Sequence, residues 1–278
     1  MKAQAADYCR LATNNPFEVN DSLDKDSVTN NGTAWYDANG NTRTNTAGSV
    51  TNFLYDWANR LTNSSTVTNI TDDADGNRAK KVVGTATRLY LVSTVNSTGY
   101  PQVMEELTVS GGFTNLACAY TYGLDLISQR QPGVTTNFYG YDGLGSVRFL
   151  LNLAGGIAAT NVYDAWGVLI TNIGTITNFY LHAGEQFDPD LGLYYNRARY
   201  YSPNAGRFWT MDSDEGDDED PQSLHKYLCQ ANPVTFHDPG GHNGDVISLN
   251  FAGAITAGLA AFTTASLVEA KTQALVTV

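Results

Sequence analysis

Along much of this chain apolar and polar residues alternate in short runs, the period-two pattern of half-buried strands. The alternation predicts strands over residues 49–55, 87–92, 102–107, 117–122, 147–153 and 157–163. Several runs end on an aromatic residue followed by Asp, Asn and Gly. Asp and Asn bond back to their own backbone, and glycine supplies positive φ, so these clusters predict turns. They also repeat. Tyr36-Asp37-Ala38-Asn39-Gly40 is followed by Tyr55-Asp56-Trp57-Ala58-Asn59, and then by Asp72-Asp73-Ala74-Asp75-Gly76 with Asp72 in the tyrosine's place. The theme returns as Tyr141-Asp142-Gly143-Leu144-Gly145 and Tyr163-Asp164-Ala165-Trp166-Gly167. Units this short cannot bury a face alone, so they must stack into a continuous sheet or wind around a common interior.

Composition agrees with an all-β chain. Of 278 residues, 42% are hydrophobic and only 16% charged, and there are sixteen tyrosines against three methionines. Such a chain holds enough apolar material for a sizeable core and favours pleated surfaces. The net charge of −12, without a basic run, argues against nucleic acid as the main partner. Cys9, Cys118 and Cys229 are too few and too scattered for a disulfide framework, and no Cys/His spacing suits zinc. His182, His225, His237 and His242 are equally scattered, so no metal or other cofactor is expected. The N-terminus has no apolar core of a secretory signal. Trp35, Trp57, Trp166 and Trp209 read as packing aromatics, with a sugar-binding surface as the alternative.

Two further stretches stand out. Residues 212–220, DSDEGDDED, hold seven acidic side chains and read as a solvated loop, with calcium the lesser option because the spacing is not that of an EF-hand. Residues 246–268 carry no charge. They are long enough to cross a bilayer as a helix but contain many Thr, Ser, Gly and Ala, so a buried or interfacial helix is the rival reading. Between the two lies HDPGGH, 237–242, a strong turn signal at the border where composition changes.

The Tyr-Asp turns resemble the YD repeats of Rhs proteins. YDGLGSVRFL, YDAWGVLI, EQFDPDLGLYYNRARYYSPNAGRFWTMD, SLHKYLCQANPV and DPGG, spanning 141–241, are similar in content and order to the Rhs repeat-associated core domain. The resemblance implies a partial YD-repeat shell, a strip-like spiral of antiparallel strands, closed by the core domain. It divides the chain into an N-terminal segment 1–30, a repeat region 31–140, the core domain 141–242 and an apolar tail 243–278 that could be helical. It also implies that the shell encloses the chain's own C-terminal extension and that the core domain cuts it free by an aspartic-type self-cleavage, a single intramolecular turnover. Carried over by motif, the catalytic residues are Asp212 and Asp238 with Arg207 orienting or polarising, and the scissile bond is His242–Asn243. Two positions depart from the pattern: family members commonly carry an apolar residue where His242 stands and proline where Ser213 stands. The resemblance places the protein among secreted or cell-surface polymorphic toxins of bacteria, with secretion machinery or surface glycans as partners and a membrane contact of the tail. The alternative is a non-cleaving structural or adhesive protein. In that case Asp238 is a turn initiator, Asp212 a cap or part of the acidic loop, and Arg207 a structural ion pair or stacking residue.

Overall fold

A computed structural model describes residues 36–44, 52–216, 224–229 and 238–242, and the backbone of strand pieces 29–30, 33–34, 236–237 and 245–246. Two small hairpins come first. β1 (Thr29–Asn30) pairs with β2 (Thr33–Ala34), and β3 (Leu54–Tyr55) with β4 (Leu61–Asn63). A ten-stranded antiparallel meander follows: β5 (Asn69–Asp72), β6 (Arg78–Val83), β7 (Ala86–Ser93), β8 (Gln102–Ser110), β9 (Phe113–Tyr122), β10 (Leu126–Gln131), β11 (Thr135–Tyr141), β12 (Val147–Leu151), β13 (Ile157–Tyr163) and β14 (Leu169–Gly174). Each strand pairs with its sequence neighbour, and the sheet stays open, not closed into a barrel. It runs without a break through positions 140 and 141. A second sheet contains β15 (Gln186–Asp188), β16 (Leu193–Asn196), β17 (Arg199–Ser202) and β18 (Arg207–Phe208). Last, β19 (Phe236–His237) pairs with β20 (Asp245–Val246) around the DPGG turn.

The alternating runs from residue 87 onward fall on β7, β8, β9, β12 and β13, and the run over 49–55 ends in β3, its first residues lying outside the described ones. The acidic run beyond Gly216 and the helix expected in 246–268 also lie outside them. No described helix is long and apolar enough to cross a membrane.

The repeated turns share one construction. Asp56 Oδ1 accepts the amides of Ala58 and Arg60, while its own N–H bonds the Arg60 carbonyl. Asp37, Asp73, Asp142 and Asp164 repeat this bonding on the residues two and four ahead. Asp73, not Asp72, makes its turn, so Asp72 does hold the tyrosine position. Asn152 makes a further copy that the Tyr-Asp pattern hides, because a leucine precedes it. The tyrosines explain themselves through their hydroxyls, since a buried phenol needs a partner for its polar end. Tyr55 donates to the Thr42 carbonyl at 2.6 Å and Tyr163 to that of Val147 at 2.8 Å, each the residue just past an earlier turn; Tyr141 donates in the same way to Leu126. These three units are thereby tied to earlier parts of the chain.

The two sheets are joined by a buried charged network. Arg78 of β6, 2% exposed, lies between the rings of Tyr90 and Tyr195 and bonds Asp188 at 2.7 Å and Gln186 at 2.6 Å. Lys81 bonds Asp188 and Asp190, both at 2.7 Å. Glu106 of β8 takes Arg88, the Tyr120 hydroxyl and Gln186. The FDPD stretch of the sequence is thus the plug that fixes the second sheet to the first. Around it the apolar core divides between Tyr120, Leu126 and Leu150 on one side and Phe53, Leu193 and Trp209 on the other.

Candidate functional site

β16 and β17 are joined by the two-residue turn Arg197-Ala198, with Asn196 opposite Arg199 and Arg197 at φ +59°. Four consecutive residues of this hairpin hold four consecutive carbonyls of the DPGG turn. Asn196 Nδ2 donates to the Asp238 carbonyl at 2.8 Å, an Arg197 guanidinium nitrogen to that of Pro239, the Ala198 N–H to that of Gly240 at 3.4 Å, and Arg199 Nε to that of Gly241. The approach is so close that a Cβ at Gly241, φ +77°, would lie 2.4 Å from the Asn196 carbonyl oxygen, which only glycine avoids. Arg197 is fixed from behind by Glu185 at 2.9 Å and by the Pro101 carbonyl ahead of β8.

This clamp brings both sequence-predicted aspartates onto one guanidinium. Arg199 Nη2 lies 2.6 Å from Asp212 Oδ2 and 3.5 Å from Asp238 Oδ2. Its Nη1 donates to the Lys226 carbonyl, which also accepts the Asp212 N–H, and its plane lies 3.7 Å from the centre of the Phe208 ring. Arg207, the arginine expected here, sits in β18 opposite Ser202 and in a bridge to Leu228. The cation ion-paired to both carboxylates is Arg199, eight places earlier. Arg199 lies in NRAR, within the matched motif, as does Arg207.

The two carboxyls are shifted in opposite directions. Burial presses Asp212 upward, but the hydrogen bond from His242, the charge of Arg199 and the Asp214 amide outweigh it and hold the group below the usual carboxylate range. Asp238 is 1% exposed, and burial pushes it up despite Arg199 and the amides of Gly241 and His242 on its Oδ1, at 2.7 and 3.2 Å. Burial also pulls Arg199 below its ordinary value, against the pull of the two aspartates. A carboxylate that stays ionised beside one that keeps its proton longer is the division of labour that acid–base hydrolysis needs. His242, on one side of the expected junction, adds a contact of its own: its Nδ1 is 3.1 Å from Asp212 Oδ1. Asn243, the other side of the expected junction, lies outside the described residues.

A cavity of about 280 Å³ opens beside the pair, lined by Arg199, Trp209 and His242 and by Asp72 and Arg60 of the repeat region. Among the described residues no cluster of His, Cys, Asp or Glu is arranged to hold a metal ion. Cys118 and Cys229 are both buried. Trp209 packs edge-on against Phe53, whereas Trp57 is 90% exposed on its turn.

No family model matches the chain. Over 130 residues, 45% of its length, it is 38% identical to the tRNA3(Ser)-specific nuclease WapA of Bacillus spizizenii. It is 31% identical over 175 residues to the tRNA(Glu)-specific nuclease WapA of Bacillus subtilis subsp. natto. Its fold superposes on the TcdB2–TccC3 complex without its hypervariable C-terminal region over 74% of the chain, with TM-score 0.57 and 20% identity. The chain resembles the Rhs-type toxins. The Rhs-like strip spans only 6–7% of the WapA proteins and 11% of the solved chain. Its antiparallel all-β architecture is that of the shell-forming neighbours.

Proposed function

We propose that this chain is the C-terminal shell and core segment of an exported Rhs-type toxin, and that it cuts its own polypeptide after His242. One observation carries the reading: Asp212 and Asp238, 26 positions apart, meet on Arg199 with opposite pKa shifts, next to a turn whose carbonyls are gripped one by one. In this reading Asp212, ionised, takes a proton from water, and the oxygen attacks the His242 carbonyl carbon. Asp238 gives its proton to the carbonyl oxygen, and Arg199 balances the charge left on the pair. When the tetrahedral carbon collapses, the C–N bond breaks. The proton held by Asp212 passes to the leaving nitrogen of Asn243, and the new carboxyl of His242 returns one to Asp238. The released extension stays enclosed by the shell that it had been part of. The nuclease activity of the WapA relatives belongs to those proteins; what this chain encloses follows from whichever extension it carries.

Intact mass of the purified chain beside Asp238→Asn tests the proposal. Self-cleavage gives a wild-type fragment ending at His242 and an uncut variant. Equal full-length masses for both favour the non-cleaving structural protein, with Asp238 a turn residue only.

A further inference from the structure

Both lone pairs of Asp212 Oδ1 are taken. Oδ2 is held by Arg199 at 2.6 Å, and Oδ1 accepts both the Asp214 amide at 3.0 Å and the His242 ring at 3.1 Å. A carboxylate that activates water needs a lone pair pointing at that water. Of its three partners, Arg199 and the Asp214 amide are fixed by the fold. Arg199 is 4% exposed and stacked on Phe208, and the amide belongs to the same loop as Asp212. The His242 side chain is 46% exposed, faces the cavity beside the site, and is the one that can swing away.

We propose that His242 is a lock on its own junction: its imidazole occupies the carboxylate oxygen that water activation requires, and the cut waits until the ring leaves. This regulates the self-cleavage proposed above and rests on that reading. It explains physically what the departure at this position does, because an apolar side chain cannot hydrogen-bond Asp212.

The lock responds to pH. Asp212 faces the ring as an anion, Asp238 as the carboxyl that keeps its proton longer, and Arg199 as a cation, and Asp72, Asp75, Arg60 and Arg197 line the same cavity. The hydrogen bond to Asp212 raises the His242 pKa above the ordinary histidine value, against burial and Arg199. The protonated ring binds the carboxylate more tightly than the neutral one. Release of the ring therefore favours cleavage as pH rises through the His242 titration, while loss of the Asp238 proton opposes it with or without the ring, so the wild type falls furthest behind a chain lacking the ring at the acid end.

The test follows intact mass over time, from pH 5.5 to 8.5, for the wild type, His242→Leu, Asp238→Asn and the double variant. The expected result is at least about ten-fold faster cutting of His242→Leu than of the wild type at the acid end. The gap narrows as pH rises, and cutting is absent whenever Asp238 is replaced. Equal rates for wild type and His242→Leu overturn the lock and leave self-cleavage standing. Full-length chains throughout overturn both. A second measurement reads the contact without any cutting: in the Asp238→Asn chain the His242 ring is titrated by NMR. A raised pKa that falls in Asp212→Asn/Asp238→Asn supports the lock. An ordinary value unmoved by Asp212→Asn overturns it, whatever the masses show.

Discussion

Asp72 shows how one substitution in a repeat changes local chemistry. At the same position Tyr55, Tyr141 and Tyr163 tie their units to earlier residues through their hydroxyls. Asp72 instead puts a carboxyl, its side chain 14% exposed, against Arg60 at 3.7 Å and the cavity beside the candidate site. Burial, only partly offset by Arg60 and Arg78, pushes its pKa to about 6. The folded state then binds a proton that the unfolded chain has already released, so stability falls as pH rises from about 4 to 6. Asp72→Asn removes that penalty. It should stabilise the protein by about 1–3 kcal/mol at pH 7 and by little at pH 4, as read from urea midpoints at the two pH values. The lowered pKa of Asp212 works in the opposite sense: the stability it adds is present above the ordinary carboxylate range and is lost as acid protonates it.

At the scale of single elements, the repeated turn is the part of this fold most legible in sequence. Asp-x-x-Gly after an aromatic names its own hydrogen bonds, because each lies within four residues. Asp164→Ala should cost about 1–2 kcal/mol by leaving the amides of Trp166 and Val168 without their carboxylate, and Asp164→Asn should recover most of it, as Asn152 makes the same turn. Gly167→Ala should cost more, roughly 2–4 kcal/mol, because a Cβ there would lie 2.5 Å from the His182 ring at a φ of +89°. Thermal unfolding of the three variants checks the order. The clamp over DPGG was not legible in this way. NRAR and DPGG were both conspicuous, but their bonds span 42 residues, and no local period says that residues 196 to 199 meet 238 to 241. The contact of Arg199 with both aspartates is therefore visible only in the folded chain.

For the whole molecule, the decisive joint is the Arg78–Asp188 network, whose partners are 110 residues apart and which no sequence pattern announced. Asp188 is held below the usual carboxylate range: burial opposes this, but Arg78, Lys81 and the Asp190 amide prevail. Asp188→Ala would strand Arg78 and Lys81 in the interior and should cost about 3–5 kcal/mol, seen as a lower denaturant midpoint, whereas replacing the whole cluster by apolar residues of similar volume should cost far less. The meander itself has a consequence for timing. Every strand from β6 to β14 pairs with the one made just before it, so the wall can assemble in order as the chain leaves the ribosome. The clamp, and with it the meeting of Asp212 and Asp238, waits for residues 238–242 to be synthesised. A chain interrupted before that point would hold the sheet without the paired aspartates, so under the self-cleavage proposed above the order of translation itself would delay any cut until the sheet is complete.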